Sequence, residues 1–403
     1  MGMQYNMKII NLIENLDDTY GGPAKSVPYL CKALNELSVD TEMLSIEYHE
    51  NEVNSVVESY NLKWRSFKYN FIKKTRYSKS LKKYLDDEFK NNNDKIIHTH
   101  NLWNYITYLA YKQSKRYNIP YIVAIRGSLY KWSLEQSPLQ KKIAWKLFQK
   151  KVLDNASCIH VTEIKEMDAV RGLGVKTPIA IVPNGINLDE FENMKNKTDS
   201  KKSLDLNIEK RYILFMSRIH PKKGLEYLVN AWVRVASQYT EWDLLIVGPQ
   251  YDKKYMDKIV SIIDSHNLKD RVAFTGMLTG EYRINAFSAC DLFVLPSHTE
   301  NFGIAIAEAM AAKLPVITTK GTPWKGIEEY NAGWWVELTQ ENINKSLHDA
   351  MSLNELELKQ KGLNGFGLIH NYEWKYQAQK MKMVYEYILY NTKKPDFVHR
   401  VKN

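Results

Sequence analysis

Apolar and polar positions along this chain predict short strands that alternate with helices. In the first half, apolar runs predict strands at 8–13, 41–47, 95–99, 121–125, 158–162 and 179–183. A polar, charge-rich stretch at 189–206 interrupts this rhythm. The alternation of strands and helices then resumes, with strands predicted at 212–216, 244–247, 272–274, 292–295 and 316–318. Alternation of this kind is typical of parallel sheets covered by helices on both faces.

The chain is long enough for two such domains. At 403 residues it exceeds what one hydrophobic core normally supports. We predict an N-terminal Rossmann-like domain at 1–188, a linker at 189–206, a second Rossmann-like domain at 207–371, and a C-terminal segment at 372–403 that contains one long helix. The fold class is therefore α/β.

A polar turn that follows an apolar strand is the strongest candidate for a binding site. The strand at 291–296 leads into this turn, and we expect a helix to begin near 301–303 with Thr299 as its cap. Open parallel sheets bind ligands at the carboxyl ends of strands, and a helix N-terminus attracts phosphate. Backbone N–H groups from Asn301 to Ile304 are therefore expected to face a phosphate.

Two glutamates bracket this turn. Glu300 lies ahead of the helix, where it can reach a sugar, and Glu308 can accept hydrogen bonds from a vicinal diol such as a ribose. Taken alone, this spacing also fits an ordinary amphipathic helix with solvated carboxylates.

A basic loop follows the strand at 212–216. It carries Arg218 and Lys223, whose planar fork and point charge both suit phosphate oxygens. A departing diphosphate needs such cations or a metal ion. On its own, the segment also fits a solvated basic loop.

Metal and redox cofactors are not expected. No Asp-x-Asp pair directly follows an apolar strand, and His98 and His100 lack the later partners of a zinc motif. The loop at Gly21 and Gly22 is not Gly-x-Gly-x-x-Gly, so a nicotinamide or flavin site is not expected either.

The segment 300–317 resembles the C-terminal signature of glycosyltransferase family 4. The residues that carry the resemblance are Glu300, Phe302, Gly303, Glu308, Ala309, Met310, Ala311, Pro315, Val316 and Ile317. The resemblance implies a retaining enzyme of the GT-B fold, with two facing Rossmann-like domains, an interdomain cleft and a C-terminal helix that crosses back onto the N-terminal domain. Asn301 stands where many relatives have Gly.

The resemblance also implies roles for individual residues. The catalytic set would be Glu300, His100, Arg218 and Lys223, with His100 matching the His of His-x-His-x-x-Trp. The donor would be bound by Gly22, Arg218, Lys223, Glu300, Asn301, Phe302, Gly303, Ile304 and Glu308. The acceptor site would include Lys25, Trp103 and Arg126.

Positive charge is concentrated in one part of the chain. The net charge is +10, but residues 51–150 alone hold 20 Lys and Arg against 7 Asp and Glu, a balance of +13. Basic residues alternate with apolar ones at 63–83 and 141–151, where Trp64, Phe67, Tyr69, Phe71 and Ile72 could bury apolar surface. No nucleic-acid-binding motif accompanies them. A face that binds an anionic membrane fits better, and a merely solvated face remains open.

The preferred hypothesis is a metal-independent, retaining transferase that moves a sugar from a UDP- or GDP-sugar to a lipid-linked or saccharide acceptor in surface-polysaccharide (capsule or lipopolysaccharide) assembly. We expect a cytoplasmic protein at the inner face of the membrane, because no apolar run reaches the roughly 20 residues of a spanning helix and Cys31, Cys158 and Cys290 have no paired spacing. The alternatives are a nucleotide-sugar epimerase, or an inactive GT-B subunit that binds membrane or a partner.

Overall fold

The computed structural model describes residues 6–17, 21–46, 55–70, 77–90 and 94–401. They form two compact units. The first runs up to Gly185 and resumes at Trp374, and the second is Ile186–Glu373.

The first unit is built on a parallel sheet. Its strands, numbered in chain order, are β1 (Lys8–Ile13), β2 (Asp40–Ile46), β3 (Trp64–Phe67), β4 (Lys95–His100), β5 (Tyr121–Ala124), β6 (Cys158–Val161), β7 (Ile179–Ile181) and β14 (Val398–His399). Among the described residues the sheet has eight strands, in the order β14-β7-β6-β5-β4-β1-β2-β3. Only β14 is antiparallel to its neighbour.

Helices cover both faces of this sheet. They are α1 (Gly22–Glu36), α2 (Ser55–Ser59), α3 (Lys79–Glu88), α4 (Tyr105–Tyr117), α5 (Lys131–Glu135), α6 (Pro138–Ala144), α7 (Lys150–Asp154), α8 (Ile164–Gly172) and α17 (Trp374–Tyr390). Consecutive residues of β1 point to opposite faces: Ile9 packs in the cluster that contains Tyr385 of α17, and Ile10 in the cluster that contains Leu109 of α4.

The C-terminal helix returns to the first unit, as predicted. The Trp374 ring stacks on Tyr29 of α1 at 6.5 Å, and the Lys382 ammonium donates to the Leu37 carbonyl over 3.3 Å.

The second unit has a smaller parallel sheet. Its strands are β8 (Arg211–Met216), β9 (Trp242–Val247), β10 (Val272–Gly276), β11 (Leu292–Leu295), β12 (Val316–Thr319) and β13 (Gly333–Val336), in the order β10-β9-β8-β11-β12-β13. Its helices are α9 (Lys197–Ser203), α10 (Leu225–Val235), α11 (Lys253–Ser265), α12 (Gly280–Ala289), α13 (Ile304–Ala311), α14 (Gly326–Glu329), α15 (Gln340–Met351) and α16 (Glu355–Ile369).

The segment interpreted as a linker, 189–206, is part of the second unit. It forms α9, which packs against α12, where the Asn285 amide donates to the Ser203 hydroxyl over 3.0 Å. The Lys201 ammonium is held by the Lys210 carbonyl at 2.5 Å. Its many charges suggested a solvated connection, but several of them make tertiary contacts.

Three local predictions were incomplete. The basic stretch from 63 contains a four-residue edge strand, β3, whose charged Arg65 and flanking Lys63 and Lys68 obscured it. The apolar and basic residues at about 138–153 predict one continuous helix, whereas the structure has a π-helical turn at Trp145–Gln149, and β14 was not anticipated. Across the described ranges, no helix combines the length and apolarity needed to cross a bilayer.

Candidate active site

The basic loop after β8 is shaped by one glycine. Gly224 has φ +68, and a Cβ placed there would lie 1.9 Å from the Pro296 carbonyl oxygen. Only glycine therefore lets this loop approach the end of β11 so closely. Just before it, the Lys223 N–H donates to the His220 carbonyl over 2.8 Å, closing a short turn.

Hydrogen bonds from a backbone N–H and from a side-chain hydroxyl join this loop to the residues after β11. The Lys222 carbonyl accepts the His298 N–H at 2.9 Å and the Ser297 hydroxyl at 3.1 Å. The ends of the neighbouring strands β8 and β11 thus form one surface, as expected for a parallel sheet.

Lys223 and Glu300 meet on that surface. The Lys223 ammonium lies 2.5 Å from Glu300 Oε1, and the two side chains are 12% and 9% exposed. Burial by itself would raise the pKa of the Glu300 carboxyl, but the charges of Lys223 and Lys222 outweigh it and hold that pKa below its ordinary value. Glu300 is therefore an ionised carboxylate at neutral pH.

Arg218 occupies the outer part of the same loop. It is exposed, and in the described part of the chain no carboxylate is paired with it. Behind it, burial lowers the pKa of Lys222, and the charges of Lys223 and Arg218 lower it further, although Glu300 opposes them. Three cations thus share one short loop, an arrangement that favours an anionic ligand.

Helix α13 begins later than predicted. Its first residue is Ile304, and its cap is Gly303, in the left-handed region at φ +80, rather than Thr299. The glycine makes the sharp turn that lets the helix start here. The Ile306 N–H already donates to the Gly303 carbonyl over 2.9 Å, so the N–H groups of Ile304 and Ala305 are the ones that can meet an anion. The anion-binding end of this helix therefore lies at the later end of the stretch 301–304.

Phe302 supports the turn from beneath. Its side chain is 4% exposed and its ring lies 5.0 Å from that of Trp324, whose indole N–H donates to the Phe302 carbonyl over 2.5 Å. The aromatic side chain therefore does not face a ligand. Asn301, which precedes it, is half-buried.

Glu308 is buried in α13 and paired with a residue that the sequence did not single out. Its Oε1 lies 2.6 Å from Arg283 Nη1. Arg283 also donates to Glu190. The carboxylate expected to meet a ribose is thus already held by an arginine.

In the first unit, the glycine loop leads into α1 as expected. Gly21, at φ +110, caps the helix, and Gly22 is its exposed first residue. Lys25 lies in the first turn and is half-buried.

His100 lies deeper than its predicted role suggests. It is 0% exposed, its Nε2 is 3.1 Å from Asn11 Oδ1, and its Nδ1 is 3.2 Å from Arg126 Nη2. Burial lowers the pKa of His100 well below its ordinary value. A neutral ring that donates from Nε2 to Asn11 and accepts at Nδ1 from Arg126 satisfies both contacts, so the ring orients Arg126.

Arg126 sits in an unusual position for a charged residue. It has φ +56, it donates to Asn184 Oδ1 over 2.6 Å, and its Nε is buried without a hydrogen-bond partner. Burial lowers the pKa of Arg126 to about 10, so it remains a cation at neutral pH.

His98, whose ring centre lies 4.4 Å from that of His100, takes part in a second buried chain of contacts. Its Nδ1 is 2.9 Å from the Tyr385 hydroxyl, and its Nε2 is 3.3 Å from His160 Nδ1. His160 in turn contacts the Val182 carbonyl at 2.8 Å through Nε2. A single set of neutral tautomers fits all three contacts, with Tyr385 as the first donor.

Trp103 also adopts a left-handed backbone, at φ +66. Its N–H donates to Gln149 Oε1 over 3.0 Å, and the Lys141 ammonium lies 5.9 Å from the centre of its ring. The predicted acceptor residue is thus attached to the helical segment 138–154.

In the basic stretch 63–83, the aromatic residues Trp64, Phe67 and Tyr69 are half-buried. Trp64 donates its indole N–H to Ser45 over 2.8 Å, while Phe67 and Tyr69 pack on the core. Arg65 pairs with Glu42 at 2.8 Å. Phe71, Ile72 and the cations at 73, 74 and 76 lie outside the described residues.

The second basic stretch does expose apolar side chains. Leu139, Ile143 and Leu147 are 70%, 50% and 68% exposed and recur at every fourth position, so they share one side of the helix. The exposed Lys142 and Lys146 accompany them.

Sequence reasoning missed several site residues. Ser297 lies two residues after the end of β11, so its position at a strand end could have identified it. Arg283 lies inside a helix, and Asn11 within a strand, where no motif signals them. Within the described ranges, no three His, Cys, Asp or Glu side chains are grouped so that they could hold a metal ion.

Known families and proteins resemble this chain over most of its length. The family described as Glycosyltransferase Family 4 matches residues 20–190, and Glycosyl transferases group 1 matches residues 196–362. The structure of Anabaena HepE in complex with UDP and glucose has a TM-score of 0.77 at 15% identity, over 94% of this chain and 99% of that one.

Curated relatives match shorter stretches. An uncharacterized glycosyltransferase of Methanocaldococcus jannaschii is 28% identical over 162 residues, covering 39% of this chain and 40% of the relative. The lipopolysaccharide core biosynthesis mannosyltransferase LpsB of Rhizobium meliloti is 27% identical over 164 residues, covering 39% and 46%. The match thus spans less than half the length of either relative.

Proposed function

This chain belongs to glycosyltransferase family 4 and has two Rossmann-like domains of the GT-B class, and from that premise we propose that it moves a sugar from a UDP- or GDP-sugar to a saccharide or lipid-linked acceptor. The observation that carries the proposal is the pairing of Lys223 with Glu300 beside the start of α13. A cation, a carboxylate and a helix N-terminus there suit a diphosphate with a sugar attached.

In the proposed donor site, cationic and anionic groups bind different parts of the nucleotide sugar. Lys223, Arg218 and the first-turn N–H groups of α13 neutralise the diphosphate. An ammonium has three donors, so Lys223 can keep Glu300 and still reach a phosphate oxygen. Glu300 accepts hydrogen bonds from the sugar hydroxyls, and Glu308 from the ribose diol.

The proposed reaction needs no covalent enzyme intermediate. The acceptor hydroxyl oxygen bonds to the anomeric carbon on the face that the diphosphate leaves, while the bond from that carbon to the diphosphate oxygen breaks with its electron pair. The acceptor proton passes to an oxygen of the departing diphosphate. The product therefore retains the donor's anomeric configuration, which NMR of the product would test.

The first unit contributes the proposed acceptor residues. Arg126 is a half-buried cation whose buried Nε has no hydrogen-bond partner, and it suits an anionic or hydroxyl-rich acceptor. His100 acts through Arg126 rather than on the sugar. Lys25 and Trp103 complete the proposed set.

A panel of nucleotide sugars tests the activity. We expect one UDP- or GDP-sugar to raise the melting temperature, since a ligand at 100 times its dissociation constant adds about 2.7 kcal/mol of stability. The same donor should release its nucleoside diphosphate when a saccharide acceptor is added. Conversion of the sugar without release would identify an epimerase, and binding without turnover an inactive subunit.

We also propose that the protein docks on an anionic membrane through the side of the helical segment 138–151 that carries Leu139, Ile143 and Leu147. Exposed apolar side chains beside unpaired lysines are typical of interfacial helices. Each Lys near an anionic surface contributes about 1 kcal/mol. Such docking would bring a soluble enzyme to a lipid-linked acceptor, in keeping with relatives named for lipopolysaccharide synthesis.

Co-sedimentation with vesicles tests the docking. The parent should bind phosphatidylglycerol vesicles more tightly than phosphatidylcholine vesicles, and less tightly as salt rises. Replacing Leu139 and Leu147 by Ser, or Lys142 and Lys146 by Glu, should release it. Leu356→Ser, which changes a 77% exposed leucine in α16, is the matched control. Vesicle binding that survives both double changes would refute docking at this face.

A further inference from the structure

Arg283 of α12 lies between two carboxylates of the second unit. Its Nη1 is 2.6 Å from Glu308 Oε1, and its Nη2 donates to Glu190 Oε2. The three side chains are only 16%, 5% and 21% exposed. They form a largely buried triad, of which the proposed donor site uses only Glu308.

The chemistry of the triad favours a fixed carboxylate. A guanidinium stays charged and presents planar donors, so it holds a carboxylate in one orientation better than an ammonium does. A carboxylate can accept about four hydrogen bonds, and the ion pair with Arg283 therefore does not prevent Glu308 from accepting two from a diol.

Glu190, the second carboxylate of the triad, lies in a segment that is itself attached to α12. Glu190 lies in the 3-10 turn Leu188–Phe191, and α12 is tied to α9 through Asn285 and Ser203. The segment first interpreted as a linker thus holds the helix that carries Arg283.

We propose that Arg283 is a positioning residue that fixes Glu308 for recognition of the donor's ribose diol, and that Glu190 in turn fixes Arg283. This inference rests on the proposed function of Glu308 as a ribose acceptor. Arg283 itself does not touch the donor. It keeps the Glu308 carboxylate oriented, so the loss of Arg283 damages ribose recognition rather than diphosphate recognition.

The test compares UDP with 2′-deoxy-UDP, and GDP with 2′-deoxy-GDP, by titration calorimetry on the full chain. A hydrogen bond to a charged group corresponds to on the order of a 10- to 100-fold preference for the ribonucleotide. We expect Glu308→Gln and Arg283→Met each to abolish most of that preference, and the double variant to lose no more than either alone. Arg283→Lys should retain part of the ribose preference of the parent, and Glu190→Gln should lose part of that preference.

Controls separate positioning from folding. Arg234→Met removes an exposed arginine of α10 and should keep the full preference. Circular dichroism identifies variants that fail to fold, and Arg283→Lys preserves the charge if Arg283→Met does not fold. Suppose that a folded Arg283→Met or Arg283→Lys protein keeps the full ribose preference while Glu308→Gln loses it. That result would overturn the positioning role of Arg283 and leave the role of Glu308 intact. Absence of any ribose preference in the parent would overturn the role of Glu308, and this proposal with it.

Discussion

The Lys223 ammonium lies 2.5 Å from the Glu300 carboxylate, although 77 positions separate the two residues in the chain. Each is buried against the other before any donor is bound. Groups fixed in advance need no reorganisation as charge develops, which is the main source of electrostatic stabilisation in enzymes. The pair therefore makes the site rigid as well as charged.

We expect Lys223→Ala and Arg218→Ala each to lower turnover by about 10²- to 10³-fold, because each removes a cation that stabilises the departing diphosphate. Steady-state rates with saturating donor measure this. Lys254→Ala, at an exposed lysine of α11, should leave the rate unchanged. Activity that EDTA abolishes, but that both substitutions spare, would contradict a metal-independent reaction.

The two glutamates should differ in kinetic signature. Glu308→Gln is expected chiefly to raise the donor KM, since a ribose contact is present in ground and transition states alike. Glu300→Gln should chiefly lower kcat, because its contacts adjoin the reacting carbon. Small, equal effects on both parameters would argue against a role for this pair in the reaction.

The Glu300–Lys223 pair should also appear in the pH dependence of stability. The pKa of Glu300 is lower in the folded protein than its ordinary value of 4.5. Its stabilisation is therefore complete above that value and declines as the pH falls through the lowered pKa. Denaturant unfolding of the parent and of Glu300→Gln between about pH 3 and 6 should show their difference shrinking toward acid. A difference that grows toward acid would mean the opposite shift.

Tyr385→Phe should destabilise the protein without affecting nucleotide binding. It leaves His98 Nδ1 without its donor in a fully buried position, at a cost of about 1–3 kcal/mol. Denaturant unfolding measures the loss, and UDP or GDP titration checks the donor site. Tyr376→Phe is the control, because that ring is 49% exposed. Equal stability of the two variants would show that the His98 contact contributes nothing.

Much of the fold could be read from the sequence because buried parallel strands are short apolar runs. β1 was placed within the predicted bounds, and Lys223 and Glu300 could be found because both follow such runs. The residue that caps α13 was harder to predict. Thr299 is of a residue type that often caps helices, but the turn requires a left-handed backbone, which Gly303 adopts readily.

What could not be predicted depends on contacts between distant elements. Arg283 gives no local signal, since its role exists only once α12 brings it to Glu308 of α13. Likewise, His98 and Tyr385 are 287 positions apart. β3 was missed because, on an edge strand, charged side chains mask the alternation that marks a buried one.

The return of α17 and β14 to the first sheet sets the order in which the molecule can be completed during synthesis. Val398 pairs with Ala180, and Tyr385 closes the buried contact to His98. A ribosome that has made residues 1–185 has therefore not yet produced the edge strand or the covering helix of that unit, whereas Ile186–Glu373 is contiguous. The second unit can therefore fold as it emerges from the ribosome. The first unit is completed only after α17 and β14 have been made, and until then its apolar surface is exposed to chaperones.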